Sequence, residues 1–286
     1  MRAVPVVIAY ALRESLRRKV FVVVLALTVA FLGLYWLGVM RAFEEARELG
    51  GPADAGVDID VVVGSTLFGL SMFATLFLGT VLAVFLTLGA VRGDAELGLL
   101  QPLVVRPVGR AALLLGRFVG AAAVCAIYVL AVYTAAMLIT RAAGDGYLPD
   151  RIVTPGLGLA AAVTILAAMS LLGSVFLAPT ANGIAVFMVF GAGLVSGLLG
   201  QIGEALQSEM LESVASFTSW VLPFEALYQA GLAAITADTL GFTRFAVRLG
   251  PFGGAQEAGP LLWPWALAYL ALVGGGAVLG FARRDL

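Results

Sequence analysis

The sequence predicts an all-α integral membrane protein: six transmembrane helices preceded by an amphipathic N-terminal helix. Three observations carry this. First, 61% of the 286 residues are apolar and 12% are charged, against about 45–50% and about 25% in soluble domains. Its 17 basic and 18 acidic residues are too few to cover a soluble fold of this length. Second, the apolar residues fall in long runs without a charge. Third, the basic residues gather on alternate connections between those runs.

A spanning helix needs about 20 apolar residues. Val20–Met40 has 21 residues without a charge, Val61–Val91 has 31, Phe118–Thr140 has 23, Val153–Gly203 has 51 and Leu261–Phe281 has 21. The 51-residue run holds two spans. Its break is expected in Ala178-Pro179-Thr180-Ala181-Asn182-Gly183, because Pro and Gly punctuate helices and Asn favours turns. The spans then fall at about 20–40, 61–91, 111–140, 154–178, 184–203 and 261–281, in one transmembrane domain covering 1–286. As a helix, the 61–91 run reaches ~46 Å against a ~30 Å hydrocarbon core, so it tilts or projects into water.

Residues 3–19 precede the first span. Ile8, Leu12 and Leu16 recur every four residues, while Arg13, Glu14, Arg17 and Arg18 occupy another face. This fits an amphipathic helix lying in the membrane interface, with Glu14 and Arg18 as a favourable i,i+4 pair. It fits equally a set of basic residues flanking a span. The 21-residue apolar run that follows exceeds the 7–15 residues of a signal-peptide core, which favours an uncleaved anchor.

Orientation follows from Lys and Arg. With six spans, 11 of the 17 basic residues but 4 of the 18 acids lie on the side holding both ends of the chain. That side is expected to be cytoplasmic, in a multi-pass plasma-membrane protein. The segment 204–260 then lies outside. Within it, Ser213–Ala237 has a single charge, Glu225. Pro223 and Glu225 near its middle argue against a lipid-facing crossing and favour a re-entrant or interfacial helical pair.

Composition also excludes chemistry. There is no histidine and one cysteine, Cys125, so no intrachain disulfide and no Cys/His metal site is expected. The 7 methionines are dispersed, unlike a soft-metal path. The one lysine, Lys19, is followed by Val20, so a G-x-x-x-x-G-K-[ST] loop is impossible and the chain has no P-loop for ATP. Net charge is −1 and names no partner, while the charge-poor composition excludes a nucleic-acid-binding surface. None of the five apolar runs that supply the spans contains Asp, Glu, Lys, Arg or His. Proton-coupled transporters and intramembrane hydrolases need such groups at depth. If the chain transports, its energy is expected from a partner outside the membrane. A secondary transporter or channel subunit is the alternative, with sodium coupling at broken helices still open.

The entry point for that energy is sought in the cytoplasmic loops. Residues 92–117 read RGDAELGLLQPLVVRPVGRAALLLGR, alternating charges with Leu97, Leu99, Leu100, Leu103 and Val104. Such a segment can present an apolar ridge with charged rims to a groove on a soluble protein, or it can be a solvated loop obeying the positive-inside rule.

This stretch resembles the permease subunit of ABC-2 type transporters, in the branch related to the permease of nitrous-oxide-reductase maturation. That family has an acidic pair, Gly-Thr-Leu, a short gap, Arg-Pro-Val-Ser-Arg and then Gly-Lys. Here Asp94 and Glu96 take the acidic positions and Gly98 the glycine. Arg106-Pro107-Val108-Gly109-Arg110 and Gly116-Arg117 follow. Leu99, Gly109 and Arg117 replace Thr, Ser and Lys, and Pro102 is an additional helix breaker. Arg17-Arg18-Lys19, Pro223-Phe224-Glu225-Ala226 and the ending Phe281-Ala282-Arg283-Arg284-Asp285-Leu286 match further family features in order.

The resemblance implies an ABC-2 type exporter fold without catalytic residues, working as a homodimer or as a heterodimer with a paralogous permease. It implies a separate ATPase that binds the ATP, so no cofactor on this chain. It makes residues 3–19 the elbow helix, with Arg13, Glu14, Arg17 and Arg18 in it. It makes 92–110 the coupling loop, with Asp94, Glu96, Leu97, Gly98, Leu100, Arg106, Pro107 and Arg110 as coupling residues. Spans 2 and 5 would line the path. The apolar spans favour an amphipathic or lipid-like cargo.

Several weaker signals carry bland readings. Gly156–Ala161 matches G-x-G-x-x-A but has no strand before it. Gly193–Gly197 is a G-x-x-x-G spacing, which 35 glycines produce by chance. Ser65, Thr66, Ser71, Thr75, Thr80 and Thr87 fall on two sides of span 2 and are expected to satisfy helix contacts rather than line a polar lane.

Overall fold

The computed structural model describes residues 19–48, 58–90, 110–144, 146–248, 255–257 and 259–283. Among them there are helices and connecting turns and no strand. The helices are α1 (Lys19–Glu48), α2 (Ile59–Thr87), α3 (Arg110–Ala143), α4 (Val153–Phe176), α5 (Pro179–Leu206), α6 (Glu209–Val221), α7 (Pro223–Ala233), α8 (Gly241–Arg248) and α9 (Leu262–Ala282), with a 3-10 turn at Ala234–Thr236. Six of them, α1 to α5 and α9, are long and apolar enough to cross a membrane. Of the elbow residues 3–19 only Lys19 is described, and of the loop 92–110 only Arg110.

The helix ends depart from the limits of the apolar runs for local reasons. α1 continues beyond Met40 to Glu48 as a polar extension carrying an exposed Arg41–Glu44 pair at 3.4 Å. α2 starts at Ile59 because Asp58 caps it: its Oδ1 accepts from the Val61 N–H at 3.2 Å, and Asp60 adds negative charge to the first turn. It stops at Thr87, before the end of its run.

The break between the fourth and fifth spans is a correction to the sequence reading. Only Leu177 and Ala178 separate α4 from α5. Pro179 occupies the first turn of α5, where a missing N–H leaves nothing unpaired, and Ala178 takes the extended conformation required before proline. Asn182 and Gly183, expected in the turn, lie inside the helix. The helix therefore runs from Pro179 to Leu206, where the sequence reading places the fifth span at about 184–203. Asn182 fits there because its Nδ2 donates to the Ser170 carbonyl at 2.9 Å and the Leu88 carbonyl at 3.4 Å.

α4 is the hub, packed against α2, α3, α5, α7 and α9. The most apolar windows of α2 and α4 are 67% buried, against 22% for α1 and 17% for α9, which ride on the outside. α1 runs parallel to α3, tied by Thr28 Oγ1 to Tyr128 OH and Tyr35 OH to Thr140 Oγ1, both at 2.6 Å. Lipid tails are as apolar as leucine, so close fit holds such a bundle together more than removal from water does. Phe68, Met72, Leu76, Leu159, Leu166 and Phe224 are fully buried. A Cβ on Gly79 would stand 2.9 Å from both Val129 and Val163, so α2 approaches α3 and α4 where it has no side chain.

The hydroxyls of α2 turn back onto their own helix. Ser65 and Thr66 donate to the Val62 carbonyl, Ser71 to Phe68, Thr75 to Ser71, Thr80 to Leu76 and Thr87 to Ala83. These donors are satisfied without a substrate. At one end of the bundle, Ala90, Leu114, Leu171, Val175, Ala277 and Phe281 form a small cluster. At the other end, the Asp150 N–H donates to the Ile235 carbonyl at 2.9 Å, and Asp150 Oδ2 accepts from the Asp238 N–H at 2.8 Å.

Candidate functional site

Two places could carry function, one at each end. The first surrounds the loop after α2. The coupling residues read from the sequence, Asp94, Glu96, Leu97, Gly98, Leu100, Arg106 and Pro107, lie outside the described residues, and of Arg110 only the backbone is described. Arg13, Glu14, Arg17 and Arg18 also lie outside them. The two anchors of the loop are described. Arg117 of α3 donates to the Ala90 carbonyl beyond α2, across 27 positions of sequence. Asn182 of α5 reaches Leu88 at the same end and Ser170 of α4. Four spans are thus fastened to each other beside the point where the loop leaves and re-enters.

The second place was not assembled by sequence reasoning. α5 ends at Gln207, which takes the left-handed conformation (φ 53°), and the Ser208 N–H donates to the Gly203 carbonyl at 2.9 Å. This turns the chain so that α6 folds back along α5. Leu222 and Pro223 then break the helix, and Pro223 opens α7. At 1.5 Å per residue, α6 and α7 reach only ~20 Å and ~16 Å, too short to cross a ~30 Å core singly.

Both helices settle onto a glycine stripe of α5. A Cβ on Gly193 would collide with the Phe224 ring, and one on Gly197 with Glu225 Oε1. One on Gly200 would stand 3.1 Å from the Ala215 Cβ, and one on Gly203 3.0 Å from the Glu212 N. α7 also leans on α4, where a Cβ on Gly158 would stand 2.9 Å from the Leu227 carbonyl oxygen. The G-x-G-x-x-A match is thus a packing surface, and Gly193–Gly197 is a helix contact.

This docking buries Glu225 to 5% exposure, and its Oε1 has no hydrogen-bond partner among the described residues. Burial pushes its carboxyl up to about 7, against a weaker opposing pull from the Gln229 amide. Burial pushes the neighbouring Tyr228 phenol up as well. Glu225 and Gln229 help line a cavity of about 270 Å³ with Gln256, Glu257, Trp220 and Trp265. The two indoles pack against each other at 5.5 Å with a tilt of 58°, and Trp265 Nε1 donates to the Trp220 carbonyl at 2.9 Å, tying α6 to α9. A lone glutamate in an apolar run signals that the run avoids lipid. It does not say which helices cover it.

Residues 6–286 match the family described as ABC-2 family transporter protein. The chain belongs to the ABC-2 transporter family. Comparison with curated proteins found no match. As an ABC-2 membrane component, the protein is multi-pass and not itself catalytic, and permeases of this family generally work with an ATPase subunit.

Proposed function

We propose that this ABC-2 family chain is the permease of an ATP-driven exporter, driven through the cytoplasmic loop 92–110 by a separate ATPase. The observation that carries the proposal is the family match over 6–286, together with the fastening of both loop anchors to four spans. Leu97 and Leu100, three apart, insert into a groove of the ATPase. Asp94, Glu96, Arg106 and Arg110 set the register. A displacement of the loop on ATP closure is then delivered to α2 and α3 together through the Arg117–Ala90 contact. It passes to α4 and α5 through Asn182. The bundle moves as a two-state element biased by nucleotide.

One coupling loop per chain serves one ATPase copy, so a two-fold assembly with two permeases and two ATPases follows. The second permease is an identical chain or a paralogue. The loop and both chain ends face the cytoplasm across the plasma membrane, as the basic residues demand. The sequence around Asp94–Arg117 supports placement in the branch related to the nitrous-oxide-reductase maturation permease.

The test is transport in vesicles from cells expressing the chain with and without its ATPase. Uptake into inverted vesicles should require both the ATPase and hydrolysable ATP. Transport by the chain alone on an ion gradient would instead select the secondary-transporter reading.

A further inference from the structure

We propose that α7 is a proton-controlled latch: it stays seated on the glycine stripe of α5 while Glu225 carries a proton, and it lifts from α5 when that proton leaves. The proposal concerns this chain alone and goes beyond the ATP-driven reading.

The seat suits an uncharged carboxyl. Glu225 is 5% exposed, and its Oε1 is buried without a hydrogen-bond partner among the described residues. That oxygen lies against α5 where Gly197 has no side chain, and a Cβ there would collide with it. The one amide beside the carboxyl is Gln229, whose own oxygen accepts from Gln201 Nε2 of α5 at 3.5 Å. The helices packed against α7 are α2, α4, α5, α6 and α9, and none of them contains a Lys or Arg. An ionised carboxylate held here has no counter-charge and one oxygen without a donor, which is costly, whereas the neutral acid is tolerated.

The seat is also poised to open. Shape holds it: the Phe224 ring fills the space left by Gly193 and stacks on Phe190 of α5 at 6.0 Å. The polar groups do not. Ser196 Oγ of α5 and Tyr228 OH of α7 are, like Glu225 Oε1, buried without a partner. A partly satisfied polar set is costly where water is absent, and release lets water satisfy it. The break at Leu222–Pro223 and the 3-10 turn at Ala234–Thr236 bound α7 and supply its hinges. Glu225 also lines the cavity of about 270 Å³ with the exposed Glu257, so its proton exchanges with solvent from that side.

The direction of the pH dependence follows. Burial in the seat pushes the Glu225 carboxyl up to about 7, and in water it returns to its ordinary 4.5. The seated form therefore holds the proton more tightly. Seating is strongest below about 4.5 and is lost as pH rises through about 7. The other titratable groups on the surrounding elements are acids and phenols. They are Tyr228 on α7 itself, Glu204 on α5, Glu209 and Glu212 on α6, Tyr269 on α9 and Asp60 on α2. Glu257 shares the cavity, while α4 and the 3-10 turn have none. None of these can become positive, so none offers the ionised carboxylate a counter-charge.

The experiment follows amide hydrogen exchange of the full chain in phosphatidylglycerol nanodiscs, without ATPase or ATP, at pH 5 and pH 8. Lifted from α5, the 11-residue α7 keeps packing on one side only, and helices this short are marginal alone, so its amides lose protection. At pH 8, residues 227–233 should exchange at least about tenfold faster in the wild-type chain than in Glu225→Gln, which stays neutral and seated. At pH 5 the two chains should agree within about twofold. Comparing them at one pH cancels the intrinsic pH dependence of exchange. A ratio that does not grow from pH 5 to pH 8 overturns the latch, whether α7 stays protected in both chains or Glu225→Gln loosens it at both values. If Glu225→Gln fails to fold, the wild-type chain decides alone. Protection of α7 relative to α4, each corrected for intrinsic exchange, should then fall at least about tenfold from pH 5 to pH 8, and an unchanged ratio overturns the latch. Because no nucleotide is present, either result leaves the ATP-driven reading standing.

Discussion

Asn182 shows how a single polar side chain can do more than end a helix. It is fully buried, and its amide joins α5 to the Ser170 carbonyl of α4 and the Leu88 carbonyl beyond α2. Hydrogen bonds between membrane helices contribute about 0.6 kcal/mol on average and at most about 1.7. Asn182→Ala should therefore lower unfolding stability by about 1 kcal/mol. Asn182→Asp should cost more, since it loses both donors and sets a carboxylate against two carbonyls. Thermal melting of the three chains in one detergent checks this, and coincident midpoints would contradict it. The threonines of α2 are the opposite case. Thr75 and Thr80 donate within their own helix, so Thr75→Val and Thr80→Val remove a donor that no other helix uses. Each should change stability by less than about 0.5 kcal/mol in the same assay.

At the scale of elements, the α5–α6–α7 arrangement rests on absent side chains. Gly200 and Ala215 face each other closely enough that Gly200→Cys with Ala215→Cys, in a Cys125→Ala background, should form a disulfide under mild oxidation. Adding Gly197→Leu should prevent it by driving Glu225 and Gln229 off α5. A cross-link that survives this change would mean that α6 docks without α7. This arrangement also marks where the sequence stops being legible. Long charge-free runs expose spans directly, because a bilayer demands about 20 apolar residues whatever their partners. The run from Val153 to Gly203 divides where the sequence predicts, but its turn is narrower than Ala178–Gly183. Nothing local distinguishes an Asn that ends a helix from one that bonds across to Ser170. The glycines at 193 and 197 were visible as a spacing, yet their use depends on Phe224 and Glu225 arriving from a later helix. In the sequence, Glu225 signals only a residue that lipid rejects. Its burial beside Trp220, Trp265 and Glu257 depends on three segments that meet only in the folded chain. The coupling residues are implied by resemblance, and all but Arg110 lie outside the described residues.

At the scale of the whole molecule, the expected orientation has both chain ends and the loop 92–110 on the cytoplasmic side. With single cysteines in a Cys125→Ala background, an impermeant thiol reagent added outside should label positions 51 and 146. It should leave positions 105 and 285 unlabelled. Labelling at 285 would require an additional crossing in the segment 213–237. The account rests most heavily on the claim that energy enters through the loop after α2. Truncating a buried apolar anchor typically costs ~2–4 kcal/mol of binding, whereas a rim charge costs less and acts mainly on association. The direct measurement is copurification of the ATPase, with transport-linked ATP hydrolysis, for Leu97→Ala combined with Leu100→Ala and for Arg110→Ala, at matched permease expression. The account predicts that the double leucine variant loses most of the bound ATPase and its coupled hydrolysis, while Arg110→Ala retains more of both. Full ATPase binding and activity in the double leucine variant would contradict it.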